Sequence, residues 1–311
     1  MKNATGEDDR KGAGWRVARR ELIPHPPKRV WTALTNPDEL TAWFCERADV
    51  DLRKRGRLAF FGETVYSAIG DEESASGAES LARPGNFEIL DLEEPEYLEF
   101  RWWLGNTETL VRIELNTHLM QTDLTISQSA QTSPAWPTDP DVPNWWWVSL
   151  PALRSYLDHG TPRLRLNYET LRRAATIRCQ IPVSTFPWVI WSKLTLPEEL
   201  VRWWAQDPEV DLRAGGTFRL QKASGTGPRK ILEYTPARKL VHDWHWEGGT
   251  VGRIEWDIEE TDNDTLLSVT DHGPWDPSAE RDRLGLLWAS SLLHLEHLSA
   301  RGITPREHII G

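Results

Sequence analysis

Two polar side chains stand where a strand should turn apolar groups inward. In Leu240-Val-His242-Asp-Trp244-His-Trp246, alternate residues share a face, and Leu240, Trp244 and Trp246 mark the inner one. His242 lies on that face. Burial disfavours an imidazolium and lowers its pKa, leaving a neutral ring that can act as a base. A core histidine with one hydrogen bond satisfies the same pattern. Further on, Leu267 and Val269 face inward and carry Asp271 with them. A buried carboxylate needs a partner. In the usual strand order His242 is two strand steps away, roughly 10 Å. That is too far for a direct hydrogen bond and suits a ligand or water held between them. An aspartate capping the turn before His272-Gly273-Pro274 is the alternative. His242 and Asp271 are the candidate catalytic pair.

Other chemistry is missing. The chain has no Walker loop, dinucleotide glycine fingerprint, His-Glu-x-x-His or nucleophile elbow. His242 and His245 point to opposite faces of one strand and cannot chelate a metal together. Cys45 and Cys179 have no neighbouring cysteine, which argues against zinc and against a disulfide framework. No metal or cofactor is expected. Reduced cysteines and a polar N-terminus without a signal core fit a cytoplasmic protein. The formal net charge of −11 disfavours nucleic acid and anionic membrane as partners. No apolar run reaches the ~18 residues of a membrane span. Eighteen tryptophans are the anomaly. Each can bury ~150–250 Å², worth roughly 4–6 kcal/mol, in a core or in a pocket wall.

An internal repeat fixes the architecture. Trp31-Thr-Ala-Leu34-Thr35-Asn-Pro37-Asp-Glu39-Leu40-Thr-Ala-Trp43 recurs 160 residues later as Trp191-Ser-Lys-Leu194-Thr195-Leu-Pro197-Glu-Glu199-Leu200-Val-Arg-Trp203. The match continues to Gly56 and Gly216. Leu98-Glu-Phe100-Arg-Trp102 then matches Leu240-Val-His242-Asp-Trp244, Arg112-Ile113-Glu114 matches Arg253-Ile254-Glu255, and Trp147 matches Trp288. Phe100 and Gln128 stand where the second copy has His242 and Asp271, so the second copy is better equipped for acid–base work.

These elements imply an expected order for each copy: a strand, two short helices, a run of antiparallel strands, and a long helix. Thr195-Leu-Pro-Glu198 reads as a capping box. Trp288, Leu292, Leu295 and Leu298 form the stripe of the last helix, with His294 and His297 off it and expected at the surface. In the first copy Trp147, Leu150, Leu153 and Leu157 form the stripe, and Trp145 is expected to face the other domain. Residues 1–14 read as a disordered tail, 15–160 as domain 1 with a mobile acidic loop at 66–86, 161–173 as a linker with a solvated arginine face, and 174–305 as domain 2.

Val30-Trp-x-Ala-Leu-Thr-x-Pro-x-x-Leu-x-x-Trp43 and Leu98-x-Phe-x-Trp102 resemble the activator-of-heat-shock-protein-ATPase-like family, part of the START-like (SRPBCC) superfamily. The resemblance covers nearly all of both halves. It implies an α+β fold of two tandem helix-grip domains, each a curved antiparallel sheet wrapped around a long C-terminal helix. Members include hydrophobic-ligand carriers, aromatases and cyclases, and a co-chaperone domain, so fold does not decide function. The expected function is binding of an apolar or aromatic small molecule. The alternatives are an aromatase-, cyclase- or hydrolase-type enzyme and a protein-interaction module. Expected walls in the second copy are Phe218, Leu220, Ile231, Trp244, Ile254, Trp256, Trp288 and Leu292. In the first they are Leu58, Phe60, Phe100, Trp102, Ile113, Leu115, Trp147 and Leu150. The two halves are expected to pack as a pseudo-dimer within a monomer.

Overall fold

The computed structural model describes residues 15–62, 88–104, 107–131, 141–220, 227–246, 249–274 and 278–301. The expected tail at 1–14 and loop at 66–86 lie outside them. The first copy runs β1 (Trp15–Ile23), α1 (Pro27–Thr35), α2 (Pro37–Trp43), β2 (Arg47–Val50), β3 (Leu58–Phe61), β4 (Ile89–Glu93), β5 (Tyr97–Leu104), β6 (Thr107–His118), β7 (Gln121–Ala130) and α3 (Asp141–His159). A short helix, α4 (Tyr168–Arg173), follows. The second copy repeats the order as β8 (Ile177–Val183), α5 (Pro187–Thr195), α6 (Pro197–Trp203), β9 (Glu209–Val210), β10 (Phe218–Arg219), β11 (Ile231–Thr235), β12 (Lys239–His245), β13 (Val251–Glu260), β14 (Thr265–Asp271) and α7 (Ser278–Arg301).

Each copy builds a five-stranded antiparallel sheet, ordered β1-β7-β6-β5-β4 and β11-β12-β13-β14-β8. Alternation sets the buried face. In β13, Gly252, Ile254, Trp256 and Ile258 are buried between more exposed neighbours. β8 continues through Pro182 to Val183. It is an edge strand, so the missing N–H breaks no ladder. The registers also correct the match between copies. Phe100 faces Val111, and His242 faces Ile254, so Val111 rather than Ile113 is the counterpart of Ile254.

The short helices begin differently in the two copies. Asn36 caps α2, its side-chain oxygen accepting from the N–H groups of Asp38 at 2.9 Å and Glu39 at 3.1 Å. The matching residue before α6 is Leu196, with nearly the same backbone and no side-chain cap. The expected capping box does not form. Thr195 lies one residue too early, and its hydroxyl donates back to Trp191 O at 2.7 Å.

The copies meet through α3 and α7. Trp147 stacks over His294 and His297, with ring centroids 4.3 and 5.2 Å away, and the Arg19 guanidinium lies 5.3 Å from the Trp147 ring. This overturns two expectations. His297 is buried, and both histidines sit at the domain contact. Trp147, read as a wall of the first core, faces the other domain, while Trp145 packs into its own core. The linker is also tied down. Leu166, Tyr168 and Leu171 are buried. Arg163 pairs with Glu296 of the second copy at 2.8 Å and Arg165 with Glu46 of the first at 3.2 Å, so these two arginines tie the linker to both copies instead of forming a solvated face. The buried apolar residues run on from one core to the other through this contact.

The missing cap generates a direct test. Leu196→Asn installs the group that Asn36 provides, on the same backbone. Urea unfolding should show a gain of about 1 kcal/mol.

Candidate functional site

The interior of the second copy holds a tryptophan cluster. Trp204 follows α6 and stacks on Trp244 at 6.0 Å between centroids. It meets Trp256 edge-on at 5.5 Å and Trp288 at 6.5 Å. Trp288 also meets Trp244 at 5.4 Å and Trp256 at 6.0 Å. Edge-to-face contacts at these separations are the favoured aromatic geometry. The expected walls Phe218, Leu220, Ile231, Ile254 and Leu292 are buried around them. Trp204 and Trp246 are only partly buried and form the outer members of the cluster.

His242 and Asp271 lie on one rung of the sheet, both opposite Ile254, so a strand separates them as expected. Both are fully buried. The ring of His242 is occupied at both nitrogens. Nδ1–H donates to Asp243 O at 2.7 Å, and Nε2 accepts from the Trp256 indole at 3.1 Å. Burial pushes its pKa down to about 4, with the neighbouring Asp243 opposing that shift. The imidazole is therefore neutral, with no lone pair left to take a proton from a substrate. Asp271 accepts from the Trp288 indole at 2.9 Å and from Gly273 N–H at 2.9 Å. Each polar residue serves a tryptophan.

The first copy closes a comparable network. The Trp146 indole donates to Gln128 Oε1 at 3.0 Å, and Gln128 Nε2 donates to Thr109 Oγ1 at 2.8 Å. Thr109 in turn donates to Trp102 O at 2.6 Å. Phe44, Phe60, Trp102, Trp145 and Trp146 fill the space between sheet and α3. Leu58, Phe100, Ile113, Leu115 and Leu150 are buried. A gap beside Trp145, bounded by Phe44, Leu164 and Tyr168, has a volume of about 30 Å³, room for water and far less than a ring-containing ligand needs.

Two indole N–H groups in the second copy are buried and have no hydrogen-bond partner among the described residues: those of Trp244 and Trp246. The indoles of Trp203, Trp256 and Trp288 all have acceptors. Sequence reasoning missed Trp204 and used Trp246 only to mark a face. The signal for Trp204 was the aromatic at the matching position, Phe44, one residue beyond the aligned Trp43 and Trp203. The cysteines take no part. Burial pushes the thiol of Cys179 up to about 12 and that of Cys45 up to about 11, leaving both protonated.

A curved sheet closed by a long helix, built twice, defines a tandem helix-grip protein. The family model for the Activator of Hsp90 ATPase homolog 1-like protein matches residues 24–158 and again 185–300. The chain belongs to that family. Similar solved structures include DynU16 from the dynemicin biosynthetic locus, at 21% identity and a TM-score of 0.37, covering 92% of this chain and 99% of that one. The Aha1 dimer from Colwellia psychrerythraea matches at 21% identity and a TM-score of 0.37, covering 41% of this chain and 97% of that one. CalU16 from Micromonospora echinospora matches at 20% identity and a TM-score of 0.36, covering 47% and 78% respectively. No curated protein matches the sequence. No helix among the described residues is long and apolar enough to cross a membrane.

His242 has a measurable signature. Its pKa falls from 6.5 to about 4 on folding, so the unfolded chain binds more protons in that interval. Stability is complete above pH 6.5 and declines as the pH falls towards 4, by about 3 kcal/mol from this group. His294, pushed down to about 3 by burial and by Arg19, acts in the same direction. His242→Phe installs the residue of the first copy. It should remove about one proton from the acid dependence measured by urea unfolding between pH 4 and 6.5. At neutral pH it should destabilise by about 1–3 kcal/mol, because the Trp256 indole loses its acceptor.

Proposed function

We propose that the second helix-grip domain binds a hydrophobic, ring-containing small molecule. Its walls would be Trp244, Trp256, Trp288, Ile254 and Leu292, with the partly buried Trp204 and Trp246 at the outer side. The observation that carries this reading is the pair of unpaired indole N–H groups on Trp244 and Trp246. A buried donor without an acceptor costs about 1–3 kcal/mol, and native interiors rarely leave one so. A ligand oxygen between the two rings supplies what the chain does not. The partly buried rings of Trp204 and Trp246 are the groups that swing aside on entry. The neutral walls and the acidic chain favour an uncharged ligand. The enzyme alternative needs a free nitrogen on His242, and both are engaged.

Trp244→Phe keeps the aromatic ring and removes the donor. In urea unfolding it should destabilise the ligand-free protein by about 1–3 kcal/mol less than Trp288→Phe, which removes a donor that has an acceptor. It should also weaken binding of a neutral acyl-naphthalene dye, whose carbonyl can accept, by about tenfold in a fluorescence titration. A destabilisation equal to that of Trp288→Phe together with unchanged dye affinity would remove this reading. Native mass spectrometry of freshly purified protein then identifies any natural ligand carried along.

A further inference from the structure

The two copies act as controls for each other at the surface. The start of α1 exposes Pro26 and Lys28. The matching positions at the start of α5 are Phe186 and Trp188, which are 75% and 62% exposed. Both helices begin from an extended N-cap followed by proline, with closely similar backbone angles. The fold is therefore content with proline and lysine at this corner. Two neighbouring large aromatic rings left in water there need another reason.

The same corner carries unpaired negative charge. Ser184 Oγ donates to Asp264 at 2.7 Å and Thr265 Oγ1 donates to Thr185 O at 2.5 Å, which holds the β13–β14 turn against the start of α5. Glu259, Glu260 and Asp262, on that turn and the end of β13, are exposed. None of the three is in an ion pair among the described residues. The equivalent β6–β7 turn of the first copy presents Leu119 and Met120 instead.

We infer that this corner docks a basic segment of a partner protein, with an arginine or lysine over Trp188 and an apolar side chain beside Phe186. Tryptophan is the best aromatic acceptor of a cation, and flanking carboxylates add attraction and select the sign of the partner. A second copy of the chain is a poorer occupant. A two-fold contact would bring Glu259, Glu260 and Asp262 against their own equivalents. An anionic bilayer meets the same repulsion.

The probe is a short fluorescent peptide alternating arginine and leucine, with a glutamate–leucine peptide as control, titrated into the full chain by anisotropy. The basic peptide should bind and the acidic one should not. Phe186→Pro with Trp188→Lys installs the residues of the first copy. It should weaken binding at least about tenfold without moving the urea midpoint. If that double variant unfolds early, Trp188→Gln alone provides the comparison. Replacing Glu259, Glu260 and Asp262 by their amides should weaken binding and flatten its salt dependence. The inference is overturned if the basic peptide binds more weakly than about 1 mM, or binds the aromatic variants as well as the parent. Equal binding of the acidic peptide overturns it too. So does a dimer in light scattering that Trp188→Lys splits, or adsorption to neutral phosphatidylcholine vesicles that the same change abolishes.

Discussion

An indole N–H taken out of water must find an acceptor, and this requirement explains much of the polar chemistry inside the molecule. Trp43 and Trp203 use main-chain oxygens of the preceding helices, Ala33 O and Lys193 O, each at 2.9 Å. Trp146 uses Gln128, Trp256 uses His242, and Trp288 uses Asp271. The two residues that most resemble a catalytic pair are acceptors for large buried rings. A neutral imidazole suits that role because it both donates and accepts, and burial keeps it neutral. The same rule gives meaning to its exceptions. Among the described residues, Trp244 and Trp246 lack acceptors at the outer side of one grip, and Trp147 lacks one where the two domains meet.

The repeat shows that these substitutions come in pairs. The first copy has Phe100 and Ile113 where the second has His242 and Trp256. Bringing a tryptophan onto the sheet face brings a histidine beside it. At the helix both copies place a tryptophan over the third strand of the rung, and the acceptor changes from Gln128 to Asp271. With Gln128, Thr109 and Trp146 linked to one another, the first copy's network is closed. The second has a glycine, Gly252, where the first has Thr109, and a side chain there would collide with Gly273 O and Trp246. The first copy's network between sheet and helix is closed, and the second retains two indole donors without acceptors among the described residues, although both follow the same plan.

The strands were legible in the sequence to a degree that the helices were not, for a geometric reason. Matching Ile113 to Ile254 is wrong by two residues, yet a strand repeats every two residues, so every inward assignment survives. Matching Trp147 to Trp288 is wrong by one residue. One residue turns a helix by about 100°, which moves the side chain to another face. Three consecutive tryptophans, Trp145 to Trp147, offer an apolar group at whichever phase is chosen, so composition could not correct the slip. His294 and His297 were misplaced because an apolar stripe in one helix carries no information about a second domain against its opposite side. Leu196 was misread because the Thr-x-x-Glu pattern is satisfied on paper one residue before the helix starts.

The double burial of α7 links these features. Trp288 and Leu292 point into the second sheet, while His297, about half a turn away, points to Trp147 and Glu296 reaches Arg163. The helix is buried around nearly its whole circumference over its described central turns. A helix gripped only by its own sheet can rotate or slide to relieve a poor contact inside. Here such a movement would break the Arg163–Glu296 pair and separate the Trp147 stack. The first copy therefore holds the helix that forms one wall of the second. With that helix fixed, the partly buried rings of Trp204 and Trp246 are the least enclosed members of the tryptophan cluster. One unpaired donor belongs to Trp246 itself and the other to Trp244, which stacks on Trp204, so the least enclosed side of the cluster is also where acceptors are missing among the described residues.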